Sequence, residues 1–187
     1  MKRYLWDYGE LFLIAGLVIL LDQLTKYLVW TNIPIGTVFR PDLTISQFVR
    51  IVHWKNSGAA FGMFQNMNTV FQILSILVSL AILYYFPQVP RNEWYLRIAM
   101  GFLLGGAIGN LIDRFVHGHV IDFISVGSFP VFNVADTSIS TGVAILFVGM
   151  WLQERQKKKI QITPETDQEE TSQVPKTSAL PEETQGE

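Results

Sequence analysis

Four long apolar stretches, separated by polar segments, run along the chain of 187 residues. They cover residues 11–30, 70–86, 95–112 and 134–152. A helix that crosses the hydrocarbon core of a bilayer needs roughly 17 to 25 mostly apolar residues. Each stretch therefore predicts one membrane span, and together they predict an all-α membrane fold with four transmembrane helices.

The connection between the first two spans, residues 31–69, is too long for a loop without structure of its own. Its apolar residues alternate imperfectly with polar ones, which is typical of a short strand or hairpin. These residues are Val38, Leu43, Ile45, Phe48, Val49 and Ile51. We expect this loop to fold as a small β-structure at the membrane surface.

Basic residues near the span ends predict the orientation, because cytoplasmic loops retain Lys and Arg. One side carries Lys2, Arg3, Arg91, Arg97, Arg155 and the run at 157–159, and the other carries Arg40, Arg50, Lys55 and Arg114. Both termini are expected in the cytoplasm. The first loop is then exterior.

The two ends of the chain need separate interpretations. The first apolar stretch follows Lys2 and Arg3 as in a secretory signal peptide, but no small-x-small cleavage site follows it, so we interpret it as a retained span. Residues 1–159 then form the membrane domain. Residues 160–187 are rich in Pro and Glu and poor in apolar side chains, which predicts a disordered acidic cytoplasmic tail.

The third span contains glycines at 101, 105, 106 and 109. Gly101, Gly105 and Gly109 recur every four residues and so share one helical face. Small residues at this spacing allow another membrane helix to approach closely. We interpret these glycines as packing residues.

The chain has no cysteine, which excludes disulfides, thiolate nucleophiles and cysteine-ligated metals. His117 and His119 invite a metal site, but two histidines need a further converging ligand. We therefore expect no metal and no cofactor. There is no Gly-x-Ser-x-Gly motif for a serine nucleophile either.

Ionisable residues inside a span are costly, so each requires an explanation. Asp22 and Lys26 lie four residues apart on one face of the first span. They form either a self-neutralising pair or part of a polar site. Asn110, Asp113 and Arg114 close the third span in the same way.

A further polar group lies around the start of the last span. Asn133 is placed to cap this helix, with Asp136 at its third position, where the helix dipole favours a carboxylate. Asp122 lies in an otherwise apolar segment, and Asn56 lies in a turn-like segment before the second span. With the predicted topology, all these groups fall near the exterior leaflet.

Two neighbouring carboxylates that share one proton can activate a water molecule, as in aspartic proteases. A proton-coupled transporter is an alternative, although it needs polar residues along the whole path through the bilayer. A non-catalytic scaffold built on the glycine face is a third interpretation. It leaves the clustered Asp and Asn residues unexplained.

Five ordered motifs resemble those of the lipoprotein signal peptidases, also called type II signal peptidases. They are DQLTK at 22–26, NSGAAF at 56–61, GGAIGNLIDR at 105–114, VIDF at 120–123 and FNVAD at 132–136. The resemblance implies a four-span aspartic endopeptidase of the bacterial cell membrane with an exterior β-cradle from the first loop. We expect the protein to be a monomer. Its substrates would be prolipoproteins that already carry diacylglycerol, cut before the lipidated cysteine.

The resemblance also implies roles for individual residues. Asp122 and Asp136 match the catalytic pair. The supporting polar residues of the family match Asp22, Lys26, Asn56, Asn110, Asp113, Arg114 and Asn133. Our hypothesis is that Asp136 starts ionised and takes the proton of water, while Asp122 starts protonated. Lipidated precursors and membrane lipids are the expected partners, with no nucleic acid.

Overall fold

The computed structural model describes the backbone of residues 2–39, 48–58 and 67–162, and the side chains of the same segments except 2–7 and 156–162. Two pieces of the predicted exterior loop, 40–47 and 59–66, lie outside the described residues. So does most of the predicted tail, 163–187. Residues 1–150 form one compact unit, which contains the site described below.

Among the described residues, four helices are long and apolar enough to cross a membrane, as the sequence predicts. They are α1 (Lys2–Asn32), α2 (Asn68–Tyr85), α3 (Trp94–Val116) and α4 (Val134–Ile162), with a 3₁₀ turn at Phe86–Gln88 after α2. α4 continues to Ile162, just past residue 160, where the predicted tail begins.

The outward faces of the helices are covered with large apolar side chains. Leu13 is 65% exposed, Leu20 62% and Phe147 71%. Contiguous apolar surface of this extent is not found on soluble monomers. It fits helices whose outer faces contact lipid.

A small antiparallel sheet accompanies the helices. Its strands are β1 (Val38–Phe39), β2 (Val49–Asn56) and β3 (Val120–Val126), in the order β1-β2-β3. The predicted strand structure of the first loop is confirmed by β1 and β2. β3, which follows α3, adds a strand that was not predicted from the sequence. Its sequence VIDFISV is rich in β-branched and aromatic residues, which favour strands.

The sheet lies at one end of the helices. β1 follows the end of α1, β2 leads toward α2, and β3 joins the end of α3 to the start of α4. Buried Val29 of α1 packs there with Ile121 and Phe123 of β3. The polar residues singled out in the sequence on α1, α3, β2, β3 and α4 therefore lie together at one end of the bundle.

The opposite end has its own core and an unexpected buried cation. Leu11, Phe86 and Leu104 belong to an apolar cluster there. Arg97, which the sequence suggested as a loop cation, is only 2% exposed. Its Nε donates to Glu10 at 3.0 Å, and its guanidinium carbon lies 4.3 Å from the centre of the Phe86 ring. The ion pair with Glu10 and the cation–π contact with Phe86 offset the free-energy cost of burying this charge.

The glycines of α3 let two helices approach, not one. An added Cβ at Gly105 would lie 2.6 Å from Val18 of α1, whereas one at Gly106 would lie 2.5 Å from the carbonyl oxygen of Ala135 in α4. Consecutive residues point about 100° apart on a helix of 3.6 residues per turn. Gly105 and Gly106 therefore serve different neighbours, which extends the single-face interpretation.

Gly106→Ala should destabilise the protein by about 1–3 kcal/mol, because the new methyl overpacks a contact with backbone. The thermal midpoint of the purified protein in detergent should fall. Gly16→Ala is the matched control, since a Cβ there has nothing within 4 Å. Equal midpoints for the two variants would contradict the close approach of α3 and α4.

Candidate active site

Asn133 and Asp136 cap the start of α4 reciprocally. The side-chain oxygen of Asn133 accepts the Asp136 N–H at 2.9 Å, and Asp136 Oδ2 accepts the Asn133 N–H at 3.3 Å. The predicted N-cap is thus confirmed. This arrangement fixes the carboxylate of Asp136 at the helix N-terminus. A capping role alone leaves the other contacts of Asn133 unexplained.

Asp122 lies in the middle of β3, opposite Trp54 of β2, and is 1% exposed. Its two oxygens accept side-chain amides, one from Asn56 at 2.8 Å and one from Asn133 at 2.7 Å. Burial and the negative charge of Asp136 raise the pKa of the Asp122 carboxyl to about 7. A buried carboxyl beside a second acid keeps its proton close to neutral pH.

The two aspartates belong to one hydrogen-bonded network. Asn133 contacts both, since its amide donates to Asp122 and its backbone N–H donates to Asp136. Asn110 of α3 donates to Asp136 Oδ1 at 2.8 Å and accepts the Asn133 amide at 3.1 Å. The 13 residues between Asp122 and Asp136 in sequence, which include Pro130, therefore do not keep the two aspartates in separate sites.

Beneath the aspartates lies a buried ammonium group. Lys26 Nζ contacts Asp22 Oδ2 and Asp113 Oδ2, each at 2.8 Å, and donates to Asn110 Oδ1 at 3.1 Å. Lys26, Asp22 and Asp113 are at most 2% exposed. The predicted pairing of Asp22 with Lys26 is confirmed, but Asp113 is a second partner. The group serves the polar site and is not a self-contained pair.

Each of these two carboxylates also holds a segment that carries one of the aspartates. Asp22 Oδ1 accepts the backbone N–H of Ala135 at 2.9 Å, immediately before Asp136. Asp113 Oδ2 accepts the backbone N–H of Ile121 at 3.1 Å, immediately before Asp122. A charge-assisted hydrogen bond to a backbone N–H is among the stronger ones. Lys26 is thereby connected to both aspartate segments.

Gln23 belongs to the same network and was not singled out among the predicted site residues. Its side-chain amide donates to Asp113 Oδ1 at 3.0 Å and to the Gly109 carbonyl oxygen at 3.2 Å. The signal was present, because an amide inside a membrane span needs partners just as a charge does. Asp22 and Lys26, which flank Gln23 in the same span, were predicted as site residues because they carry charges.

Arg114 lies at the edge of the network. Its Nη1 donates to the Asn110 carbonyl oxygen at 3.3 Å, and its guanidinium carbon lies 5.2 Å from the centre of the Phe71 ring. Gln72 of α2 donates to the Arg114 carbonyl oxygen at 3.1 Å. α2 thus holds the end of α3 beside the site.

A cavity of about 520 Å³ opens beside these residues. Asp136, Asn110, Asn56 and Arg114 contribute to its lining, with apolar side chains over most of the remaining wall. Asp122 lies behind this surface. Thr137 and Ser140 of α4 also line the cavity. Neither was predicted from the sequence, because hydroxyl residues are common in membrane helices.

The histidines after α3 surround a tryptophan. The ring centres of His117 and Trp30 are 4.7 Å apart and the rings are stacked, and those of His119 and Trp30 are 6.4 Å apart. Burial lowers the pKa of His119 below its ordinary value. Within the described segments, no three His, Cys, Asp or Glu residues are placed to hold a metal ion.

Comparison with known proteins assigns the chain to a family. The family model for signal peptidase II, a peptidase family designated A8, matches residues 14–152. This match covers well over half of the chain and includes every residue of the network. The chain belongs to the signal peptidase II family.

Individual relatives agree with this assignment. A lipoprotein signal peptidase from Staphylococcus aureus strain JH9 is 34% identical over 158 residues, which cover 82% of this chain and 95% of that protein. A bacterial membrane enzyme solved by the in meso method at 2.3 Å resolution superposes with a TM-score of 0.74 at 35% identity, covering 80% of this chain and 92% of that one. A second such enzyme, at 1.9 Å, gives 0.68 at 36% identity, covering 76% and 92%.

Membership in this family decides between the three functional interpretations of the sequence. The chain is a multi-pass bacterial membrane peptidase, and not a transporter or a scaffold. The prediction of a family of aspartic peptidases with four spans is confirmed.

Lys26→Met should destabilise the protein strongly, by about 3–5 kcal/mol, because it leaves two buried carboxylates without their cation. The measurement is the thermal midpoint in detergent. Lys55→Met, which changes an exposed lysine of β2, is the matched control. A midpoint for Lys26→Met within experimental error of the control would show that the ammonium does not hold the network together.

Proposed function

We propose that this chain is a membrane-embedded aspartic endopeptidase that removes the signal peptide from diacylglyceryl-modified prolipoproteins, cutting before the lipidated cysteine. Membership in the signal peptidase II family supports the reaction and the substrate class. The observation that carries the catalytic assignment is the connection of Asp122 and Asp136 through Asn133.

The two aspartates differ in a way that suits opposite roles. Asp136 lines the cavity, where a water molecule and a peptide have access to it. Asp122 is buried and keeps its proton up to about pH 7. We assign Asp136 as the general base and Asp122 as the general acid.

Hydrolysis then needs no covalent intermediate. Ionised Asp136 takes a proton from water while the water oxygen attacks the scissile carbonyl carbon, and Asp122 gives its proton to the carbonyl oxygen. When the tetrahedral intermediate collapses, the C–N bond breaks and the proton on Asp136 passes to the leaving amine. One hydroxyl of the intermediate returns its proton to Asp122 as the new carboxyl group forms, which restores the resting state of both aspartates. The dyad titrates as a coupled pair, so the two roles describe the resting state.

The amides around the dyad position it. Asn110 donates to Asp136, and Asn56 and Asn133 donate to Asp122. Asp22, Lys26 and Asp113 act behind them through the backbone of β3 and α4. All these groups come from one chain, which supports the proposal that the enzyme acts as a monomer.

We also propose that both termini lie in the cytoplasm and that the site lies near the exterior leaflet, as the distribution of Lys and Arg predicts. The absence of cysteine allows a direct test with single introduced cysteines. An impermeant maleimide added to intact cells should label Ser46→Cys and not Ser172→Cys. Labelling of position 172 alone would reverse the orientation.

Asp122→Asn and Asp136→Asn should each lower kcat by at least about 10³-fold, because each removes a proton-transfer group that the other cannot replace. The assay follows cleavage of a diacylglyceryl prolipoprotein by purified protein in lipid. Asp7→Asn is the matched control, because residue 7 lies near the N-terminal end of α1, far in sequence from Asp22 and Lys26. Substantial activity in either dyad variant with an unchanged thermal midpoint would refute the assignment.

The pH dependence should show which form of Asp122 is needed. Its pKa of about 7 means that it loses its proton as the pH rises through this value. kcat/KM should therefore fall above about pH 7. A constant kcat/KM from pH 6 to about pH 9 would contradict a protonated Asp122 in the active form.

A further inference from the structure

Four hydroxyl residues follow Asp136 closely on α4. Three of them donate to the carbonyl oxygen four residues earlier: Thr137 to Asn133 at 2.9 Å, Ser138 to Val134 at 3.0 Å and Thr141 to Thr137 at 2.8 Å. A hydroxyl in a helix commonly satisfies itself in this way. Their donors are therefore used within the helix.

Ser140 differs from the other three. Its hydroxyl makes no hydrogen bond to any residue that the structure describes. It is exposed and lines the cavity together with Asp136. One donor and two acceptor positions of Ser140 thus face the space beside the aspartate.

The position of Ser140 matches the repeat of an extended peptide. Asp136 and Ser140 are four residues apart, which is about 6 Å along a helix axis. Carbonyl groups on the same edge of an extended chain recur every second residue, at roughly 6.6 Å. A substrate that runs extended along α4, with its scissile carbonyl beside Asp136 and its N-terminal side toward Ser140, would bring the carbonyl two residues earlier level with Ser140.

A substrate in this cavity needs such a donor. Apolar side chains such as Phe71, Val131 and Ile139 form much of the cavity wall. A peptide carbonyl without a partner in apolar surroundings costs a few kcal/mol. A hydrogen bond from the Ser140 hydroxyl to this carbonyl would offset the cost.

We propose that Ser140 is a substrate-binding residue whose hydroxyl donates to the backbone carbonyl of the third residue before the cleaved bond. This inference rests on the proposed function, because it places the scissile bond at Asp136. It assigns Ser140 to recognition of the peptide backbone. It gives the residue no part in proton transfer.

Ser140→Ala should raise KM for a diacylglyceryl precursor peptide by roughly 3- to 10-fold and leave kcat unchanged, as expected for one lost neutral hydrogen bond. Ser138→Ala is the matched control, since the hydroxyl of Ser138 is buried and bonded within α4. Both constants of this control should equal those of the wild type.

A modified substrate distinguishes a direct contact from an indirect effect. An ester in place of the peptide bond after the third residue before the cleavage site makes that carbonyl a weaker acceptor. The ester should raise KM for the wild type and have a clearly smaller effect on Ser140→Ala. Such coupling is expected only if the two groups interact.

Two results would overturn the inference while the wild type still cleaves the parent peptide: an unchanged KM for Ser140→Ala, or an ester effect of equal size in both enzymes. A lower kcat with unchanged KM would assign Ser140 to catalysis and would equally refute a binding role. Failure of the wild type to cleave the lipidated peptide at all would refute the proposed function, and this inference with it.

Discussion

The buried ammonium group of Lys26 is the interaction on which the site depends. A lysine at membrane depth is tolerated only when carboxylates and amides surround it. Here the two carboxylates that neutralise it also accept the backbone N–H groups of Ala135 and Ile121. One charge in α1 is therefore connected to both segments that carry the aspartates. The cost of burying the charge is offset by a network that fixes the geometry of the site.

The close approach of the helices makes this network possible. An added Cβ at Gly109 would lie 2.6 Å from Asp22 Oδ2, so a larger residue would displace the carboxylate that holds Ala135. Packing and electrostatics are thus coupled in the C-terminal half of α3. The two aspartates lie in different surroundings as a result, because Asp136 lines the cavity and Asp122 is buried behind it. This difference is the basis for assigning Asp136 as the base and Asp122 as the acid.

Much of the fold could be predicted from the sequence, for physical reasons. Membrane thickness sets the length of a span, so four apolar stretches predict four helices. The high cost of a charge in lipid likewise marked Asp22, Lys26 and Asp113. β3 was missed because a short apolar strand has no distinctive period. Ser140 was missed because a hydroxyl becomes informative only when its neighbours' hydrogen bonds are known.

The most direct test of the account is to locate the proton of the dyad by infrared spectroscopy, since the carbonyl stretch of a carboxylic acid differs from the bands of a carboxylate. In the wild type, a buried carboxylic acid band should disappear with a midpoint near pH 7. It should persist in Asp136→Asn, with a lower midpoint once the neighbouring charge is gone, and be absent from Asp122→Asn. A band that persists in Asp122→Asn and is lost in Asp136→Asn would contradict the account.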